Sequence, residues 1–294
     1  MDDYFEIRAA KLSDRFAIQR YLSENVLIHR HLDWRQPIDW LQSHSLLLYI
    51  NSRDVIDGLF CSTPEINSRA WIRIFSSRSK EILFSVWYRL FNAFRMSTGK
   101  NTAKLQFLSL AYQSWMINLL ELEGWEIIDT IVQFEWMGAV EDIDFHNYRS
   151  EKNIRRMRKR DLEQVYQIDY SSFNATWQQS YETFIRSYNE SGYATVYEQD
   201  GKIIAFQLST IANQRAHLAR IAVNKEYLRK GIGKALVNNF LSECRNRNIQ
   251  KISVNTQKTN SRSNAMYRKM GFEEVDNAFP IFQLDEPVAK SVKI

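Results

Sequence analysis

Tyr227-Leu228-Arg229-Lys230-Gly231-Ile232-Gly233-Lys234-Ala235-Leu236-Val237-Asn238-Asn239 joins two segments of different periodicity. Upstream, Leu218 to Val223 is a short apolar run of the kind that makes a buried strand. Downstream, Ile232, Leu236, Phe240 and Cys244 fall on one stripe of a helix. Strand, basic glycine turn and helix, in that order, predict an anion cradle. Gly231 and Gly233 let backbone N–H groups turn toward one point, and the helix dipole adds positive potential there. Arg229, Lys230 and Lys234 bring mobile charge to the same place. A lone Gly-x-Gly is common in loops, so its surroundings decide its meaning.

The composition narrows the classes. At 294 residues the chain can hold two domains, each with its own core. With 45% hydrophobic and 25% charged residues it has the profile of a globular protein, not a disordered one. No apolar run approaches a membrane span, and Met1-Asp2-Asp3-Tyr4 lacks the apolar core of a signal peptide. No membrane partner is therefore expected, and the cytoplasm is the expected compartment. Cys61 and Cys244 are the only cysteines, which removes disulfide frameworks and thiolate metal clusters, and the five histidines show no ligand spacing. No metal is expected. A net charge of +5 is a mild basic bias that suits a phosphorylated ligand or an acidic partner. The densest run, Arg155-Arg156-Met157-Arg158-Lys159-Arg160, reads as a solvated strand end and turn. It lacks the interleaved aromatics of a nucleic-acid face, so nucleic acid is not the expected partner.

Taken in order, the first half predicts a strand at Tyr4 to Arg8, a helix from Ser13 through Leu22, and a hairpin of Ser45–Ile50 with Val55–Cys61 around Asn51-Ser52-Arg53-Asp54. A strand at Ala70 to Phe75 follows, then a helix from Lys80 to Met96 whose stripe Phe84, Trp87, Tyr88, Phe91 and Phe94 is read as core. Lys104 to Leu110 is a strand, Tyr112 to Glu123 a helix stopped by Gly124, and Ile127 to Trp136 one or two strands. The second half repeats this order at a fixed shift. Ile154-Arg155 stands to Ile7-Arg8 as 154 − 7 = 147, and Asp161 to Asp14, Arg220-Ile221 to Arg73-Ile74, Lys251 to Lys104 and Gly271 to Gly124 keep the same offset. The chain is thus expected to be a duplicated unit: 1–138, a polar linker 139–151, and 152–294. Where the second copy has Gly231, Gly233 and Arg229-Lys230, the first has Phe84, Val86 and Ile82-Leu83. The first copy offers no glycine cradle, and the chemistry is expected in the second.

Two further features of the second copy converge on the loop. One is the strand Lys251 to Asn255; the other is Asn260-Ser261-Arg262-Ser263-Asn264-Ala265-Met266-Tyr267-Arg268-Lys269-Met270-Gly271-Phe272. Apolar strand, Gly-x-Gly loop and Asn-x-x-Ser-x-x-Met-Tyr-x-Lys-x-Gly-Phe together resemble the GNAT superfamily of acyl-CoA-dependent N-acyltransferases. The tandem layout resembles that of mycothiol synthase, and the second half resembles the ribosomal-protein N-terminal acetyltransferases. The resemblance implies an α/β (mixed α+β) fold of two tandem GNAT-like domains, each a central mixed, mostly antiparallel sheet flanked by helices. It departs at Leu228, where the family usually has Arg or Gln.

The same resemblance implies acetyl-CoA as cosubstrate. Its pyrophosphate would lie on Arg229, Lys230, Gly231, Ile232, Gly233 and Lys234, its pantetheine along the backbone of Ile221, Ala222 and Val223, and Asn260 would face the pantetheine or the pyrophosphate arm. Tyr267 would protonate the departing thiolate. The Glu that family members use as a base is absent: the matching positions hold His217 and Asn255, and only His217 can accept a proton, with Glu198 or Asp169 through water as alternatives. Phe173 and Trp177 fall in a stretch that lines the acceptor groove of family members. The expected function is acetyl transfer to a primary amine of a small molecule or peptide by direct attack on the thioester. A non-catalytic acyl-CoA sensor or interaction module is the alternative. A monomer is expected, because the fused second copy occupies the surface that single-domain members use to dimerise.

Overall fold

Two ion pairs show the repeat at atomic level. Arg8 holds Asp14 through both guanidinium nitrogens at 2.7 and 2.9 Å, and Arg155 holds Asp161 the same way at 2.6 and 3.0 Å. Each carboxylate also accepts the backbone N–H three residues before it, from Lys11 or Arg158, at 2.7 Å. The pair ties a first strand to the turn that starts the first helix of its copy. Charge-assisted, bidentate geometry of this kind fixes an angle as well as a distance.

The computed structural model describes residues 5–24, 27–31, 35, 37–41, 45–97, 105–137 and 152–285. In chain order the elements are β1 (Phe5–Ala9), α1 (Arg15–Ser23), β2 (Leu27–Arg30), β3 (Leu46–Asn51), β4 (Ile56–Glu65), β5 (Arg69–Ser77), α2 (Leu83–Ser97), β6 (Gln106–Leu110), α3 (Ser114–Leu122) and β7 (Glu126–Trp136). They continue with β8 (Ile154–Arg156), α4 (Leu162–Ser172), α5 (Tyr181–Glu190), β9 (Tyr193–Gln199), β10 (Lys202–Ala212), β11 (Arg215–Val223), α6 (Ile232–Asn246), β12 (Lys251–Gln257), α7 (Ser261–Lys269) and β13 (Phe272–Asp285). Helices α3 and α7 keep the offset at both ends (261 − 114 = 147 and 269 − 122 = 147). The single strand β7 resolves the one-or-two-strand reading of Ile127 to Trp136, and the expected linker 139–151 lies outside the described residues.

The chain divides into two compact units, Met1–Ile128 with Phe279–Ile294, and Asp129–Ala278. These differ from the sequence halves by one strand each. Residues 131–135 of β7 pair antiparallel with β12 in the second unit, and residues 281–285 of β13 pair antiparallel with β6 in the first. The last strand of each copy thus completes the sheet of the other unit. In the first unit the strands run β1-β3-β4-β5-β6-β13 and in the second β8-β9-β10-β11-β12-β7. Neighbours are antiparallel except for β5 with β6 and β11 with β12. This is the expected mixed, mostly antiparallel sheet flanked by helices.

In the first unit, α2 and α3 cover one face through Trp87, Phe91, Met116 and Leu119 over Phe60, Phe75 and Phe107. The aromatic stripe on α2 needs a correction. Trp87, Phe91 and Phe94 are buried, but Phe84 and Tyr88 are 45% and 63% exposed, because the buried line runs through Leu83, Val86 and Leu90 instead. In the second unit, α6 and α7 pack Val237, Phe240, Leu241, Cys244 and Tyr267 on Phe134, Leu218, Ile252 and Val254. Helices α4 and α5 cover the other face around Val165, Phe184, Phe206 and Leu208. In the basic run 155–160, Arg155 pairs with Glu198 at 2.6 Å besides Asp161 and Arg156 lies 4.0 Å over the Tyr193 ring, while Arg158, Lys159 and Arg160 are exposed at the turn.

Candidate active site

Strand β11 has one closed edge and one half-open edge. Along the first it pairs with β10 over its whole length, with Ala219 left as a bulge between Leu218 and Arg220. Along the second it pairs with the parallel β12 only at Arg215 to Leu218. From Ala219 to Val223 no strand among the described residues continues that ladder. Backbone donors and acceptors left on such an edge must find partners elsewhere. A bulge also increases local twist and helps two strands diverge.

The open edge leads directly into the cradle. Asn224 caps the 3-10 turn Lys225–Tyr227 by accepting the Glu226 N–H at 3.1 Å. Arg229 and Gly231 then adopt left-handed φ values of 65° and 79°, and α6 starts at Ile232. Alternating conformations of this kind aim successive N–H groups into one concavity. The first helical bond in this region runs from the Ala235 N–H to the Gly231 carbonyl at 2.9 Å, so Ile232 and Gly233 belong to the turn whose N–H groups are turned outward. Arg229, Lys230, Gly231 and Lys234 are exposed, and Lys230 rests its ammonium 4.7 Å from the Tyr227 ring. A phosphate fits this chemistry of backbone donors and exposed cations.

Asn260 sits at the start of α7 as its N-cap, where its side-chain oxygen accepts the Ser263 N–H at 3.2 Å. Tyr267 lies two turns on, 2% exposed, with its ring centroid 6.0 Å from Phe134 and 5.7 Å from Phe272. Burial pushes its phenol well above the ordinary tyrosine range, so it holds its proton at any physiological pH.

On the face covered by α4 and α5, a group that the sequence did not announce organises the predicted acceptor residues. Arg220 is clamped by fully buried Asp169 through both carboxylate oxygens, the second at 2.8 Å. It donates to the Trp177 carbonyl at 2.9 Å and stacks 3.8 Å over the Phe173 ring. Phe173 and Trp177 are therefore both held against β11 by one guanidinium. Arg220 was visible in the sequence only as the counterpart of Arg73; its buried acid partner is 51 positions away and no local spacing connects them.

His217 is half-buried in the paired part of β11, opposite Ser253 of β12, and its Nδ1 lies 2.9 Å from the Ser253 hydroxyl. Burial pushes the imidazole down to about 4, so it is neutral near pH 7. The alternative bases are otherwise engaged: Asp169 in the Arg220 clamp and Glu198 with Arg155. Asn255 has its side-chain oxygen buried without a hydrogen-bond partner. In register with β12, β7 brings Gln133 beside Asn255 and Glu135 beside Ser253, so a strand from the first half of the sequence borders the same face.

The Acetyltransferase (GNAT) family model matches residues 162–272, which span α4 to the end of the Tyr267 motif. The chain carries a GNAT domain. The ribosomal protein bS18 alanine N-acetyltransferase of Escherichia coli strain K12 is 28% identical over 121 residues, 41% of this chain and 80% of that protein. The enzyme of the same name from Haemophilus influenzae is 26% identical over 116 residues, 40% of this chain and 77% of that protein. Two solved structures match in fold across nearly the whole chain. A GCN5-related N-acetyltransferase from Sphaerobacter thermophilus aligns with a TM-score of 0.63 at 12% identity, over 96% of this chain and 95% of that one. A tandem GNAT protein from the clavulanic acid biosynthesis pathway gives 0.63 at 12%, over 96% and 98%.

Against the GNAT domain, the first unit differs most at the edge that matters. Strand β5 corresponds to β11 and pairs in parallel with β6 only at Arg69 to Trp71. Beyond that point β2 occupies the same edge, pairing Leu27 to Arg30 with Ser77 to Ile74, and the ladder continues where His31 donates to the Arg73 carbonyl at 2.9 Å. The offset maps β2 onto Asn174 to Trp177 (174 − 147 = 27), the stretch that in the GNAT domain is a turn held by Arg220. Gln113, the counterpart of Asn260, pins β2 by donating to the Ile28 carbonyl at 2.9 Å. Val86, the counterpart of Gly233, packs directly over Gly58, and Leu120 replaces Tyr267. The turn Ser76 to Ser79 keeps Arg78, but Glu24 and Asp57 hold it at 2.5 and 2.8 Å.

Proposed function

We propose that the chain is an acetyl-CoA-dependent N-acetyltransferase whose chemistry lies in the second unit, with a peptide α-amine as the acceptor to test first. The observation that carries this is the continuous line from the open β11 edge at Ala219–Val223 into the cradle at Arg229–Lys234. Bound there, acetyl-CoA supplies an activated thioester. Backbone N–H groups that the Ile221 to Val223 segment presents on its open edge stabilise charge on a carbonyl oxygen, and the cradle holds the pyrophosphate far from the reacting centre. Asn260 keeps the start of α7 in place beside that path. Phe173 and Trp177, fixed through Arg220, form the acceptor side.

His217 receives the amine proton at Nε2 while its Nδ1–H donates to Ser253, and Tyr267 delivers a proton to the leaving sulfur. A base titrating near 4 is too weak to deprotonate a free ammonium, and takes a proton only as the nitrogen is acylated and becomes acidic. The acceptor must therefore arrive neutral. An α-amine titrates about 2.5 units below a lysine side chain, so its neutral fraction at pH 7 is about three-hundredfold larger. This favours a peptide N-terminus over an internal lysine, in line with the relatives named for alanine N-acetylation.

Calorimetry with acetyl-CoA, followed by free-thiol release with an alanine-initiated peptide, tests the reading. One acetyl-CoA per chain and thiol release that requires an unblocked N-terminus are expected. Absence of acetyl-CoA binding defeats it. Binding with no turnover on any amine supports the second reading, an acyl-CoA sensor, which Leu228 in the loop and Asn255 in place of a carboxylate favour.

A further inference from the structure

The first unit contains a cavity of about 140 Å³ lined by Arg30, His31, Arg35, Pro37, Trp40, Arg73 and Ile74. It opens where β2 ends against β5, beside Arg73, the counterpart of the Arg220 that organises the acceptor side of the GNAT domain (220 − 147 = 73). The described lining holds three arginines and no acidic residue.

Two of these guanidinium groups are held in place, and Arg30 is exposed at the end of β2. Arg35 stacks on buried Trp40 at 4.3 Å from the ring centroid, and Arg73 approaches the same ring at 5.9 Å. Arg73 also donates to Thr63 at 3.0 Å and pairs with Glu65, which anchors it from the strand side. His31 packs its ring 4.8 Å from Trp71, and its Nδ1 is buried with no hydrogen-bond partner. A buried ring nitrogen left unpaired costs free energy until something fills its place. Preorganised, planar donors around a small cavity match an oxyanion better than an extended ligand, because guanidinium forks pair with two oxygens at once.

We infer that the first unit is a binding site for a compact oxyanion, of the phosphate or carboxylate kind, held by Arg30, Arg35 and Arg73 with His31. The site has replaced the acyl-transfer groove of this copy, whose cofactor edge is closed by β2. It is independent of acetyl transfer in the second unit.

Titration of the full chain with inorganic phosphate at constant ionic strength, read by calorimetry and melting temperature, tests it. The cradle of the second unit is a competing anion site, so the double variant Arg229→Gln/Lys230→Gln is titrated alongside. One phosphate is expected to persist in that double variant and to weaken at least tenfold in Arg30→Gln, a change at an exposed side chain that leaves the phosphate-free melting temperature intact. Arg35→Gln gives a second, independent loss. Malonate in place of phosphate separates the sources: equal binding identifies a carboxylate ligand, and selective phosphate binding a phosphoryl one. Phosphate binding that disappears in the double variant, or that ignores both Arg30→Gln and Arg35→Gln, overturns the inference, as does no binding to any form of the protein.

Discussion

Tyr267 and Leu120 occupy the same place in the two copies, on helices whose ends keep the 147-residue offset, and only Tyr267 brings a hydroxyl. Packing alone does not need it: Tyr267 makes its ring contacts with Phe134 and Phe272, which a phenylalanine would keep. Tyr267→Phe should therefore leave the melting temperature and acetyl-CoA affinity nearly unchanged while lowering kcat by about a hundredfold, the scale of a general acid. A loss confined to stability would place the residue in the core only. The motif made Tyr267 legible in the sequence, whereas the burial that fixes its protonation was not. His217 shows the reverse. Its residue type suggested a base, and its depressed value near 4 comes from burial that only the packed sheet supplies. Because folding favours the neutral ring, the unfolded chain binds the proton first as pH falls. His217 thus contributes stability that is fully present above about 6.5 and drains away as pH falls toward 4. Urea midpoints measured across that window should fall less steeply in His217→Gln than in the parent, and kcat/KM of the parent should show no enzyme ionisation between pH 5.5 and 7, a window set by the value near 4.

At the scale of elements, the cradle and the plug are two uses of one edge. The glycines and the strand–turn–helix order could be read directly, because left-handed backbone and helix starts leave local marks in sequence. Strand β2 left none. Leu27-Ile28-His29-Arg30 is too short and too mixed for either periodicity, and it is a strand because β5 offers an unpaired edge and Gln113 holds it there. The aromatic stripe of α2 failed for a related reason: Phe84 and Tyr88 sit about a hundred degrees of helix away from the line that faces the sheet. The cradle makes a separable prediction. A Cβ on Gly231 meets nothing within 4 Å, so Gly231→Ala is opposed only by its φ of 79° and should cost about 1–2 kcal/mol of stability. The same change moves the backbone N–H groups out of convergence, so acetyl-CoA binding should be lost by calorimetry while the melting temperature shifts by a few degrees. Retained binding would put the pyrophosphate elsewhere.

At the scale of the whole molecule, the repeat and the compact units disagree by one strand each, and the disagreement has a physical consequence. A sequence offset reports ancestry, and it is blind to which sheet a strand joins; only pairing registers such as Val254 with Phe134 and Leu108 with Gln283 reveal the exchange. Each unit folded from its own half would lack its final strand and would have to recruit the one at its own end. That end strand is not a neutral substitute. The β7 residues Val132 and Phe134 are buried with Tyr267, Val254 and Phe272 in the second unit, and Phe282 of β13 is buried with Phe107 and Ala111 in the first. Losing a buried phenylalanine from a packed core costs about 3–5 kcal/mol, a large share of the stability of a single domain. Residues 1–138 and 152–294 expressed separately should therefore show exposed edges and weak or no cooperative unfolding. Expressed together they should associate one to one, with a cooperative melt and the acetyl-CoA affinity of the intact chain. A fragment 152–294 that alone melts cooperatively and binds acetyl-CoA as tightly as the intact chain would show that β7 is not needed to complete the second sheet.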